Sequence, residues 1–117
     1  MVNDNYITLF AALSVKLYPR LLIVPVDTLV LLTCEIQYNG SYSVQWYRLT
    51  ESGPIRIYHD PSKANNSTLH FNITVGSEYK NTHILCVIHP TDGGPNDTRR
   101  SNYATLNAIS EGNHNLI

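Results

Sequence analysis

The chain has 117 residues, of which 43% are apolar and 15% charged, with a formal net charge of -1. That is the size and composition of one globular domain, and it excludes a disordered tail and a coiled coil. The eight Lys and Arg are scattered from Lys16 to Arg100, which leaves no concentrated positive field for nucleic acid or an anionic membrane.

Residues 1–14 are read as an N-terminal extension or a first edge strand. The apolar stretch 7–15 resembles the short apolar part of a signal peptide, but its flank Val2-Asn3-Asp4-Asn5 carries an acid and no positive charge, so a strand is preferred. Turn-forming residues then divide the chain at Tyr18-Pro19, Val26-Asp27, Asn39-Gly40-Ser41, Ser52-Gly53-Pro54, Asp60-Pro61-Ser62, Gly76-Ser77 and across 89–95. Between them, 29–36, 44–48, 55–58, 69–75 and 83–88 are rich in β-branched and aromatic residues and of strand length, with a last strand at 102–108. Leu69, Phe71 and Ile73 alternate with His70, Asn72 and Thr74, the period of a strand with one wet face. Several short strands with regular turns indicate an all-β sandwich or barrel spanning 15–110, followed by a tail or linker at 111–117. No apolar run reaches the roughly eighteen residues of a membrane helix, so attachment to a membrane would come through a transmembrane segment outside this chain.

Two cysteines lie in the middles of separate predicted strands, with Trp46 between them in a third. Trp46 follows Cys34 by twelve residues, and Cys86 follows Trp46 by forty. This arrangement, across most of the chain, resembles the immunoglobulin superfamily, in which two such cysteines bridge two antiparallel sheets and the tryptophan packs against the bridge. The resemblance implies an immunoglobulin-like β-sandwich with a Cys34–Cys86 disulfide and Trp46 in its core. On the chain-entropy account a bridge closing this loop stabilises the fold by about 4 kcal/mol. The alternative is two free buried thiols in a cytosolic β-domain. Five Asn-X-Ser/Thr sequences, at Asn39, Asn65, Asn66, Asn72 and Asn96, weigh against it and point to a secreted glycoprotein. Two positions depart from the family pattern. Ile84 stands where a tyrosine usually ties down the loop before it, and Lys80 replaces a common acid, with Tyr79 beside it taking over part of the packing. The fifty-two positions from cysteine to cysteine leave little room for the extra central strands of variable-type domains, so the resemblance is to an intermediate-type sandwich.

Enzyme chemistry is not expected. His59, His70, His83, His89 and His114 show no metal-ligand spacing, and no strained Gly-X-Ser-X-Gly turn presents a nucleophile. Asp92-Gly93-Gly94 lacks the surroundings of a P-loop or dinucleotide fingerprint and reads as a turn, and Arg99-Arg100 as a solvated pair. No cofactor, metal or small-molecule substrate is implied.

Strand parity gives a map of surfaces. With Cys86 and Trp46 inward, Val44, Ile84 and Ile88 are inward too, while Gln45, Tyr47, Leu85 and Val87 face out. With Ala104 and Leu106 inward, Tyr103 and Thr105 join the same outer face. Gln45, Tyr47, Leu85, Val87, Tyr103 and Thr105 are therefore the candidate partner-binding residues, exposed on one sheet. The acceptors at Asn39, Asn65, Asn66 and Asn72 lie away from that face, and Asn96 is the exception. The function expected is recognition: an adhesion molecule or receptor ectodomain, such as that of a receptor tyrosine kinase, at the cell surface. Its partner would be another cell-surface or extracellular protein or a second copy of itself. A structural spacer in a multidomain stalk and a secreted decoy are the alternatives.

Overall fold

The computed structural model describes residues 14–91 and 98–110, residues 61 and 62 by their backbone. Among the described residues the chain is all-β, built of two facing sheets joined by a disulfide. Strands β1 (Ser14–Tyr18), β3 (Thr28–Gln37) and β6 (Ser67–Val75) form a three-stranded sheet in the order β1-β3-β6. The larger sheet runs β2-β9-β7-β4-β5, from β2 (Leu21–Pro25), β9 (Ala104–Ile109), β7 (Thr82–Pro90), β4 (Ser41–Thr50) and β5 (Gly53–Ala64). A two-residue strand β8 (Arg99–Arg100) also pairs with β7, and a single 3-10 turn covers Ser77–Tyr79.

Period-two patterning creates both inner faces. Val30, Leu32, Cys34 and Ile36 of β3 are buried, as are Tyr42, Val44 and Trp46 of β4, Ile84, Cys86 and Ile88 of β7, and Ala104, Leu106 and Ala108 of β9. Cys34 and Cys86 are bonded across the gap, with Cα atoms 6.5 Å apart. Trp46 lies directly opposite Cys86 in the β4/β7 ladder and packs its ring on Phe71 of the other sheet, centroids 5.1 Å apart. The bridge and the indole thus occupy one layer of the core. Tyr79 is buried, and the Arg48 guanidinium lies over its ring at 5.4 Å, so the aromatic occupies the corner where Lys80 provides no acid.

Three expectations change. The larger sheet is mixed and not purely antiparallel, because β2 runs parallel to β9. The cause is the path of the N-terminal run: β1 lies antiparallel to β3, then at Tyr18-Pro19 the chain crosses to the other sheet without reversing. Second, Asp60-Pro61-Ser62 is not a turn but part of β5. Val44 pairs with Asp60 and Tyr42 with Lys63, so one residue of β4 opposes two of β5. Proline is tolerated here because β5 is an edge strand and Pro61 sits in its bulge, where no ladder donor is needed. Third, β1 begins at Ser14, so the strand expected over 7–15 is observed only from its last two residues; the remainder lies outside the described residues.

Tyr42 fastens the end of the sandwich. It is fully buried on β4, donates a hydrogen bond to the Asn65 carbonyl at 2.6 Å and lies 2.7 Å from the Ser67 hydroxyl. Loss of water around its hydroxyl raises its pKa above the ordinary 10.0, with the Ser67 contact acting in the opposite sense. Burial likewise raises Tyr79, opposed by Arg48 and assisted by Glu78. Unfolded tyrosines release their protons near 10.0, whereas the folded protein holds these two longer. Their contribution is therefore complete below that pH and is lost as pH rises through the folded values. Tyr42→Phe should cost about 1 kcal/mol at neutral pH through the lost hydrogen bonds. It should also flatten the decline of stability above pH 10, a comparison read from denaturant midpoints of the two proteins between pH 7 and 11. An unchanged alkaline decline would contradict the role given to Tyr42.

Candidate functional site

The outer face of the larger sheet carries a groove of about 340 Å³, lined by Tyr47, Leu49, Pro54, Leu85, Val87, Arg100 and Tyr103. Every lining position but Tyr103 follows from the ladders. Tyr47 lies opposite Leu85, and Val87 opposite Arg100, so alternate residues of β4, β7 and β8 project together. Leu49 continues the parity of Tyr47 down β4, and Pro54 opposes it from β5.

A bulge sets the groove's far wall. Ile84 pairs with Ala104 and Val87 with Arg100, so Leu85 and Cys86 on β7 oppose the three residues Ser101, Asn102 and Tyr103. These three go in different directions. Ser101 turns into the core, where its hydroxyl accepts the Cys86 amide at 3.0 Å. Asn102 reaches to the three-stranded sheet, taking the Leu17 amide at 3.0 Å and donating to the Leu17 carbonyl at 2.8 Å. Tyr103 turns outward, 43% exposed, between the Arg100 guanidinium at 5.1 Å and the His83 ring at 5.5 Å. The His83 Nδ1 lies 3.0 Å from the Thr105 hydroxyl, which anchors that stack to β9.

The six residues expected on this face are distributed unevenly. Tyr47, Leu85, Val87 and Tyr103 come together around the groove. Gln45 lies one step away, receiving the Tyr47 hydroxyl proton at 2.5 Å, and Thr105 stands beyond Tyr103 beside His83. Leu85 and Val87 are not exposed, contrary to expectation: they are only 6% and 8% accessible. They do point outward, but the side chains rising around them cover them, making a floor and not a surface patch. Arg100 is exposed, as expected of a solvated pair, and its side chain also forms part of the wall. Leu49 and Pro54 went unrecognised. Leu49 was detectable by extending the parity of Gln45 and Tyr47 by two residues.

A larger cleft of about 590 Å³ lies at one end of the sandwich among Arg48, Glu51, Glu78, Lys80, Asn81 and His83, with polar walls of both charges. Among the described residues no three His, Cys, Asp or Glu side chains gather as a metal set. Nor, among them, is any helix long and apolar enough to cross a membrane. His89 is half-buried: its Nδ1 lies 3.2 Å from the Thr98 hydroxyl, and its Nε2 is buried with no hydrogen-bond partner among the described residues. Asn39, Asn65, Asn66 and Asn72 are all exposed, whereas Asn96, His114 and Asp92-Gly93-Gly94 lie outside the described residues.

No family model matches the chain, and no curated protein matches it. Solved structures do match, 374 chains in all, so the fold is a common one that by itself does not select a function. One is a chain from a structure describing the structural basis of T cell specificity and activation by the bacterial superantigen toxic shock syndrome toxin-1. It aligns with a TM-score of 0.67 and 14% identity over 83% of this chain and 99% of that one. The likeness is one of fold alone.

Floor and wall differ in what they tolerate. Leu85→Asp places a charge where a buried leucine stood and should cost at least about 2 kcal/mol, the scale of that side chain's burial. Tyr103→Asp should stay within about 1 kcal/mol because half the ring is already in water. Chemical denaturation of the two variants checks this, and a Leu85→Asp protein as stable as wild type would remove the floor.

Proposed function

We propose that the chain is an immunoglobulin-like recognition domain of an extracellular protein, a cell adhesion molecule or receptor ectodomain, and that it binds a protein partner through the groove on its larger sheet. The immunoglobulin reading is supported by two packed sheets, a disulfide between the central strand of one and β7 of the other, and a buried tryptophan directly beside that bridge. The bridge and the exposed asparagine acceptors support an oxidising, secretory compartment.

The observation that carries the binding role is the groove itself. Its apolar floor of Leu85 and Val87 is rimmed by Tyr47, Tyr103 and Arg100. Tyrosine and arginine concentrate at the energetic centres of protein interfaces, particularly around well-packed apolar pockets. The groove is open along the sheet, which suits one or two inserted side chains of a partner more than an enclosed small molecule. Arg100 and the exposed Arg56, which pairs with Tyr47 across β4 and β5, favour an acidic rim on that partner.

Multimers of the domain applied to intact cells should bind in a protease-sensitive manner, and sedimentation over a range of concentrations detects self-association. Tyr47→Asp and Tyr103→Asp should each weaken the association by about fivefold or more. His70→Asp, on the three-stranded sheet, adds the same charge and should leave it intact. Equal binding by all three variants would place the interface elsewhere.

A further inference from the structure

The outer face of the three-stranded sheet is polar except at one place. Thr33 and His70 pair across β3 and β6 with side chains 3.1 Å apart, and the Tyr18 hydroxyl approaches Glu35 at 3.5 Å. Beyond them on β3, Leu29 is 66% and Leu31 48% exposed. Both stand on the central strand of the sheet, yet β1 ends opposite Thr33, so among the described residues β6 is the one strand paired beside them. The β6 residues directly opposite are Asn72, facing Leu31, and Thr74, facing Leu29. These are the acceptor and hydroxyl residues of one Asn-X-Ser/Thr sequence. Both are exposed, while Ile73 between them is buried at 5%. The Asn72 carboxamide makes no hydrogen bond among the described residues.

We propose that Asn72 carries an N-linked glycan whose first sugars lie over Leu31 and Leu29, covering apolar surface that the protein itself leaves in water. Directly opposed residues in an antiparallel ladder have Cβ atoms about 5 Å apart, so a sugar joined to the Asn72 Nδ2 begins beside the Leu31 side chain. Pyranose rings present C–H groups on their faces, and the acetamido methyl of N-acetylglucosamine is apolar. Such a ring covers a leucine while its hydroxyls stay in water. The other described acceptors lack this setting. The Asn66 side-chain Oδ1 already accepts the Tyr38 amide at 3.0 Å, which holds that carboxamide in place, and Asn39 and Asn65 lie in bends at the end of the sandwich. The groove lies on the opposite sheet, so a glycan at Asn72 leaves it open.

This inference rests on the extracellular reading, but it is tested apart from groove binding. The protein is secreted from eukaryotic cells, and the mass of the peptide bearing Asn72 reports its occupancy. Wild type is compared with Asn72→Gln, with Thr74→Ala, and with wild type deglycosylated after folding, so that a variant failing to fold does not end the test. Each form lacking the glycan should show several-fold higher fluorescence of a hydrophobic dye and concentration-dependent self-association in sedimentation. Adding Leu29→Thr and Leu31→Thr should abolish both effects, and trimming the glycan to a single N-acetylglucosamine should retain most of the cover. An unmodified Asn72 in secreted protein would overturn the proposal. So would deglycosylated protein that binds dye and sediments like wild type. Neither result alters the effect of Tyr103→Asp on association, which belongs to the groove.

Discussion

The cross-link between Cys34 and Cys86, with Trp46 beside it, is the constraint on which the remaining geometry depends. Side chains on a strand alternate strictly, so fixing one residue inward fixes the direction of every neighbour. Cys34 does this for β3, Cys86 for β7 and Trp46 for β4, and the ladders between β4 and β7 keep the last two in step. A slip of one residue would put Leu85 and Val87 into the core and the bridge into solvent. The covalent bond forbids it.

Function then depends on what the strands carry on the faces they do not bury. On the larger sheet the outward set is apolar at the floor and aromatic or cationic at the rim. The Ser101–Tyr103 bulge gives the rim its height by sending Tyr103 out while Ser101 goes in. The same bulge joins the two sheets, since Asn102 clasps the Leu17 backbone of β1 from both sides. The position of the groove wall and the docking of β1 are thus set by three consecutive residues. On the smaller sheet the outward set is polar apart from Leu29 and Leu31, and Asn72 and Thr74 of β6 lie opposite them. The two faces therefore differ in kind: a groove with an apolar floor and aromatic and cationic rim on one, and a polar surface broken by two leucines on the other.

The core and the strand directions were legible in the sequence because they follow from period two and from the spacing of Cys34, Trp46 and Cys86. What escaped were the interruptions of period two. The bulge at Pro61-Ser62 turned an apparent turn into the second half of an edge strand, since the edge position removes the usual objection to proline. The bulge after Arg100 is invisible because nothing in Ser101-Asn102-Tyr103 marks an extra residue. The shielding of Leu85 and Val87 was equally hidden. Parity gives a side chain's direction, but its cover comes from Leu49, Pro54, Arg100 and Tyr103, which reach it from three different strands and a connecting turn. The parallel pairing of β2 with β9 depends on the crossing at Tyr18-Pro19, where a turn signal marks a change of sheet and not a reversal of the chain.

The claim that inward anchors determine the outward groove is tested most directly by proton–proton contacts in solution. Nuclear Overhauser spectra of the oxidised protein should connect the Leu85 and Val87 methyl groups to the rings of Tyr47 and Tyr103, and the Ile84 and Ile88 methyl groups to the core. Contacts from the Leu85 methyls to the Trp46 indole, with Tyr103 touching neither Leu85 nor Val87, would mean that the register is different and that the groove does not exist.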